Sequence, residues 1–422
     1  MRFLILFASS TMLSAQKLLS VAALGLFAFC GKSKEVPPIN PTKVFTQVEA
    51  AITTTYFSGD PAPPLEKLYG NAVAALDAKE TPDMKGTIKA IESQGPDKVR
   101  ERTYRALNAF LSELPGGNDF TRAEGLLMSE DKSRQAGIGI LLMQEGPGKF
   151  IVLDTLESSP AQAAGVKPGS VVKSIDGLEV ANMDLEEVAG RIRGAESTDV
   201  RLGLLGSEPT IKRSKLNFIN YSNATWLLTT GGQVEIVALR TAVPGTAANL
   251  EQFMRQMGKR SAVILDLRKL QSGDFNECFK IADLLVGKKK MGELVQKNGA
   301  IPMESTADSL FTGPIYVILG KHSSSAADVV AMALRSSLEV NLIGVDRPGL
   351  AYFAENIPLD GGIVLKLTKG FVADERSIPL PKRGLKMDVN IDDYLPLEPP
   401  GDKPSEADPA HRQLRTMLGL AR

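Results

Sequence analysis

The run Ile315-Tyr-Val-Ile-Leu-Gly-Lys-His-Ser-Ser-Ser-Ala-Ala-Asp-Val-Val-Ala-Met-Ala-Leu334 constrains this chain more than any other stretch. Ile315 to Leu319 is short, apolar and closed by a glycine, the pattern of a buried parallel strand. Beyond three serines, Val329, Val330, Ala333 and Leu334 recur at helical spacing. A strand that turns through small residues into a helix is where α/β proteins hold a nucleophile or an anion. The first N–H groups of the helix are unpaired there, and its dipole is positive. A second reading stands beside that one. Ser325, followed three residues later by Asp328, is also a capping signature, in which the serine only closes the helix.

The N-terminus reads as a targeting segment over residues 1–30 and says nothing of the fold. Lys17 precedes an apolar run, Leu18 to Phe29, too short to span a bilayer but of signal-core length. A second apolar patch upstream leaves both Met1 and Met12 open as the start. Cys30-Gly-Lys-Ser-Lys resembles a bacterial lipoprotein cleavage site, in which the cysteine is lipidated. Phe29 departs from the small residue such sites carry, so simple secretion stays open. Either route ends in the cell envelope, periplasmic or anchored to the outer membrane. Cys278 is then the one remaining cysteine; it sits in an apolar-periodic segment and reads as a core thiol. With no Cys/His cluster, neither metal nor cofactor is expected. Lys+Arg and Asp+Glu both number 49, so no net field draws the chain to nucleic acid. Any membrane contact runs through the lipid anchor, and homo-oligomerisation is left open.

Residues 31–43 read as a stiff, proline-rich linker, and 44–134 as a helical region with apolar residues at helical spacing in Leu65–Leu76 and Val99–Leu114. From 135 to 207 the order is distinctive: Ala136-Gly-Ile-Gly-Ile140 opening a strand, Ser159-Pro-Ala-Gln-Ala-Ala-Gly165, then Lys167-Pro-Gly-Ser170 and a helix from Asp184 to Arg193. This resembles a PDZ domain of the kind found in bacterial envelope proteases, with Ser170 in place of an aspartate. A glycine-flanked loop can aim backbone N–H groups at a terminal carboxylate while the next strand adds an extended peptide. Tail capture is accordingly assigned to Gly137, Ile138, Gly139 and Ile140, with Leu185, Val188 and Ile192 lining the groove.

Residues 208–397 read as an α/β core, and 398–422 as a linker and terminal helix. Ser323-Ser-Ser-Ala-Ala-Asp-Val-Val-Ala331 resembles the S-A-S-A-S-E-I-V-A segment of the carboxyl-terminal processing peptidases, the tail-specific serine proteases. That resemblance places the nucleophile on Ser325. Ala262-Val-Ile-Leu-Asp-Leu-Arg268 resembles the family's L-I-L-D-L-R-N-N-P-G-G, whose loop helps form the oxyanion hole; it implies Gly273 and Ala326 as oxyanion donors. Lys269 to Ser272 replace the Asn, Pro and first Gly. The implied fold is multidomain α/β and α+β: a helical N-terminal region, a PDZ domain and a ClpP/crotonase-like core.

The likeness breaks where the family continues T-F-G-K-G-x-V-Q. Here Arg347-Pro-Gly-Leu-Ala-Tyr-Phe-Ala354 puts Leu350 at the general-base lysine and Ala354 at the glutamine. No lysine or glutamine occurs between Ala326 and Leu365. Arginine stays protonated and is no base, and an unassisted serine hydroxyl is a poor nucleophile. Three readings follow: an envelope protein that binds protein C-terminal tails with proteolysis lost or much reduced; an active serine endopeptidase using His322 or a lysine (Lys321, or more remotely Lys366); or a scaffold whose groove is vestigial.

Overall fold

The computed structural model describes residues 35–131, 133–146, 148–216, 221–270, 272–349, 351–380, 384–394, 396 and 400–421. The expected signal segment with Cys30, and Leu350, lie outside the described residues. Residues 36–422 form one compact unit.

Helices α1 (Pro41–Thr54), α2 (Leu65–Ala75), α3 (Met84–Glu92) and α4 (Val99–Leu111) build the N-terminal region. The Asn40 side chain accepts the Lys43 N–H and Pro41 takes the first helical position, so α1 starts inside the segment expected as linker. Val44, Phe45, Val48 and Ala51 face inward, and the rings of Phe45, Tyr69 and Phe110 meet at 4.9–5.8 Å. Leu359, Ile363, Leu365 and Leu367, from far along the chain, close this core from below. Strand β1 (Asp119–Thr121) and helix α5 (Ala123–Glu130) lead onward.

The PDZ module comprises β2 (Ile140–Gly146), β3 (Lys149–Thr155), α6 (Pro160–Ala163), β4 (Val171–Ile175), β5 (Leu178–Glu179), α7 (Leu185–Ile192), β6 (Asp199–Leu204) and β7 (Thr210–Lys212). Its sheet runs β2-β3-β4-β6-β7, with β5 against β4. Ile211 is buried and pairs with Val200, so the module extends past residue 207, where the boundary was expected.

The core begins with β8 (Tyr221–Leu227), β9 (Gln233–Leu239), β10 (Thr241–Ala242), α8 (Thr246–Gln256), β11 (Ala262–Asp266), β12 (Ser272–Gly273) and α9 (Phe275–Val286). It continues through β13 (Lys290–Gln296), β14 (Gly299–Glu304), β15 (Ile315–Leu319), α10 (Ser325–Ser337), β16 (Val340–Gly344), β17 (Tyr352–Pro358), β18 (Val364–Ala373) and β19 (Val389–Asn390). One sheet has the order β19-β16-β15-β11-β9-β8 and is parallel except at β8. In the second, antiparallel sheet, β18 carries β17 on one side and β1 and β13 on the other. Every residue of α10 from Ala326 to Leu334 is buried, which accounts for its apolar, small-residue sequence. The terminal helix Pro409–Leu418 is capped by Asp408 and sets His411 edge-on against Trp226. The mixed α/β architecture expected from the sequence is the one observed.

Candidate functional site

Five buried residues of β15 deliver the chain to Gly320. Ser323 then folds back: its hydroxyl accepts the Gly320 N–H and donates to the Leu267 carbonyl, both at 3.0 Å. The Ser324 N–H donates to the Leu270 carbonyl at 3.0 Å. The loop after β11 and the loop after β15 are thus stitched together immediately ahead of α10.

The capping reading of Ser325 does not survive. The N-cap position falls on Ser324, whose side chain makes no cap bond and whose hydroxyl is buried without a hydrogen-bond partner among the described residues. Asp328 turns instead to Arg347, with Nε 2.5 Å from Oδ1. A guanidinium is a stronger partner for a carboxylate than a neutral N–H.

Ser325 is half-buried at the first helical position, and its hydroxyl has no hydrogen-bond partner among the described residues. The first two N–H groups of α10 precede any intrahelical acceptor. Gly273 comes to the same place: a Cβ on it would lie 2.7 Å from the Ala242 Cβ and 3.1 Å from the Ala326 Cβ. Only glycine permits that approach. The structure therefore gathers Ser325, Ala326 and Gly273, a hydroxyl beside backbone groups at a helix start, where an oxyanion is electrostatically favoured.

The candidate bases are mostly committed elsewhere. Arg347 donates to Gly320 and Ser323 carbonyls as well as to Asp328, clamping the serine loop as a cation. Lys321 is exposed, with Nζ 3.7 Å from Asp393. Lys366 lies exposed on β18 in register with Asp119. Ala354, at the glutamine position, lies on β17 opposite Thr368 of β18. His322 is half-buried, and its pKa is lowered first by that burial and then by the Lys321 charge, so the imidazole is neutral at pH 7.

A junction that sequence reasoning missed lies one loop away. Asp154 of β3, 1% exposed, sits between Lys269 Nζ at 2.7 Å and Arg240 Nε at 2.9 Å, both cations buried. Burial pulls the Lys269 pKa down and Asp154 resists it. Arg268 alongside bridges Asp266 at 2.6 Å and Asp408 at 2.8 Å, fastening the terminal helix to the end of β11. The available signal was Lys269 itself, a charge where the resembling loop has asparagine.

On the PDZ module, a cleft of about 470 Å³ runs between β2 and α7. Gly137, Ile138, Gly139, Ile140, Leu185 and Ile192 line it, as do Leu142 and Ala189, which were not expected. Val188 does not; it is fully buried in the module's core, since the groove face is the i, i+4, i+7 row Leu185, Ala189, Ile192. The Gly137 N–H is already spent on the Ser214 carbonyl at 3.0 Å. Those of Ile138 and Gly139 have no acceptor among the described residues. Gly139 has φ 84°, and a Cβ there would meet the Ser159 Cβ at 2.3 Å. The outer edge of β2 is unpaired among the described residues.

Fold and site together define a class: an α/β core that presents a serine at a helix start, preceded by a PDZ module with an open strand edge. Residues 232–391 match Peptidase family S41, and residues 151–205 match the PDZ domain. The carboxy-terminal processing protease CtpA of Bacillus subtilis (strain 168) is 28% identical over 274 residues, covering 62% of this chain and 57% of that protein. A "Probable CtpA-like serine protease" of Staphylococcus aureus (strain N315) is 26% identical over 318 residues, covering 71% and 62%. Both matches span less than two thirds of the relatives' own length. A photosystem II D1 C-terminal processing protease shares the fold, with a TM-score of 0.60, 20% identity, and coverage of 90% of this chain and 97% of that one. These findings support a C-terminal processing protease family, with a PDZ domain, as the one to which this chain is related.

Proposed function

We propose that this chain binds the carboxyl-terminal tails of cell-envelope proteins in the PDZ groove and hydrolyses them slowly or not at all. One observation carries the reading: a serine hydroxyl at the right place in the fold with no basic partner among the described residues. The sequence agrees, with Leu350 and Ala354 at the positions of base and orienting glutamine. Losing such a base costs orders of magnitude in rate. The groove supplies what capture needs: free N–H groups at Ile138 and Gly139, an open strand edge and an apolar wall. Export by the N-terminal segment, with Cys30 as lipid anchor, would put the groove where envelope tails are.

The experiment pairs two measurements on the exported protein. Free-acid peptides with apolar ends should bind and their amides should not, while peptide hydrolysis should stay close to that of Ser325→Ala. Efficient turnover abolished by that substitution would overturn the binding-protein reading.

One observation favours an active serine endopeptidase as the second reading. His322 is neutral at pH 7 and stands three residues before Ser325, so it has the protonation state a general base needs. It would then have to come within about 3 Å of the hydroxyl with substrate bound.

A further inference from the structure

We propose that the PDZ groove is polarised by charge and selects one class of tail: a free carboxylate on an apolar last residue, with a basic side chain two to four places before it. Arg193 takes the carboxylate and Glu186 the basic group. The inference rests on the tail-capture reading above and names the chemistry of the tail.

Among the described residues that line the cleft, only Arg193 and Glu186 are charged. They stand at opposite ends of α7, and both are exposed. Between them in the sequence, Glu187 and Arg191 satisfy each other at 2.8 Å. Neither Arg193 nor Glu186 has an ion-pair partner among the described residues. The helix therefore pairs the two charges that face away from the groove and leaves the two that face it open. Such charges count for little while water surrounds them, and for more once a bound peptide covers them.

The backbone sets which end receives the carboxylate. Ala136 and Gly194 exchange hydrogen bonds at 3.0 and 3.1 Å, so the end of α7 is bolted to the residue before Gly137. Arg193 thus stands beside the loop that offers the Ile138 and Gly139 N–H groups. The end of a helix is negative and would repel an anion. Here it is covered: Arg134 donates to the Gly190 and Arg193 carbonyls, and Arg213 to those of Arg191 and Ile192. The start of α7 carries the opposite sign, with Asp184 as its cap beside Glu186. At about 1.5 Å per residue, Glu186 lies roughly 10 Å along the helix from Arg193. An extended tail covers that distance in about three residues, and its side chains face one side at every second place. The places two and four before the last residue therefore flank Glu186.

Calorimetry on the whole protein at pH 8 and low salt, with apolar-ended peptides, tests the idea. R193Q should weaken free-acid binding about three- to tenfold, and its affinity should respond less to salt than the parent's. R193K should recover part of the loss. K173Q removes an exposed lysine outside the groove and should change binding less than about twofold. A lysine two or four places before the last residue should tighten binding about threefold over glutamine there, and E186Q should erase that gain. Free-acid affinity unchanged in R193Q would mean that backbone N–H groups alone hold the carboxylate. No lysine gain, or one that survives E186Q, would mean that Glu186 reads nothing. Either result overturns the polarised groove and leaves tail capture standing. If the parent chain binds the free acid no better than its amide, tail capture itself is wrong. Both side chains are exposed, so R193Q and E186Q should melt as the parent does; a lowered melting temperature would mark a structural role and overturn the assignment for that residue.

Discussion

The guanidinium of Arg347 lies 2.5 Å from the carboxylate of Asp328 and also donates to the Gly320 carbonyl at 2.5 Å, so one side chain ties the first turn of α10 to the loop before it. Asp328 is fully buried and Arg347 nearly so. Arg347→Met strands a buried carboxylate and should destabilise the fold by about 3–5 kcal/mol. Urea unfolding checks this, with D328N/R347M recovering a good part of the loss. Equal losses in the single and double variants would show that the charge pair is not the unit that matters.

Leu350→Lys with Ala354→Gln returns both missing groups to the sequence. Hydrolysis of a tail peptide should rise about 10²–10⁴-fold over the parent chain, the range a positioned base supplies. The gain should vanish when Ser325→Ala is added. No gain in a folded double variant would mean that the serine loop, not the base, limits the chemistry.

Truncating the groove wall should separate binding from folding. Leu185 is partly buried at the groove and not sealed in the core. Leu185→Ala should weaken free-acid peptides roughly tenfold, as loss of a central apolar contact does. Val188→Ala, behind the groove, should lower the melting temperature instead. Calorimetry with the same peptide and a thermal scan distinguish the two.

Burial holds the His411 pKa below its ordinary value of 6.5, with the Asp408 charge opposing. The unfolded chain therefore binds the extra proton more readily than the folded one. His411 costs nothing above pH 6.5, and its contribution is lost as pH falls from there through the folded pKa. The slope in that window is at most about 1.4 kcal/mol per pH unit for this residue. His322, lowered in the same direction, steepens the fall. Urea midpoints measured from pH 8 to pH 5 should decline, and His411→Gln should flatten the curve.

Cys30→Ala should abolish incorporation of a labelled fatty acid and move the protein from the membrane fraction to the soluble envelope fraction. Unchanged fractionation, with no label in the parent chain, would point to simple secretion.

Much of this was legible in the residues. The strand–serine–helix passage at 315–334 and the PDZ order at 135–207 are local patterns, each written within a few dozen positions. What escaped was non-local or depended on which way a side chain points. Nothing near Asp154 says that Lys269 and Arg240 will close on it, because those partners come from two loops of another module. Val188 and Ala189 are neighbours on α7, and the helix turns the first into the module's core and the second to the groove. The Ser325–Asp328 spacing spelled a cap, and Arg347 claimed the carboxylate.

Phe120 pairs with Leu365, and Ile363, Leu365 and Leu367 form the underside of the four-helix N-terminal region. As the chain leaves the ribosome, those helices emerge early and their apolar underside emerges only with β18, far along the chain. They cannot settle early, because contacts this distant in sequence close late and slowly. A nascent chain waiting with that face open is prone to wrong partners. Truncation anywhere before β18 would therefore leave α1 to α4 without part of their core.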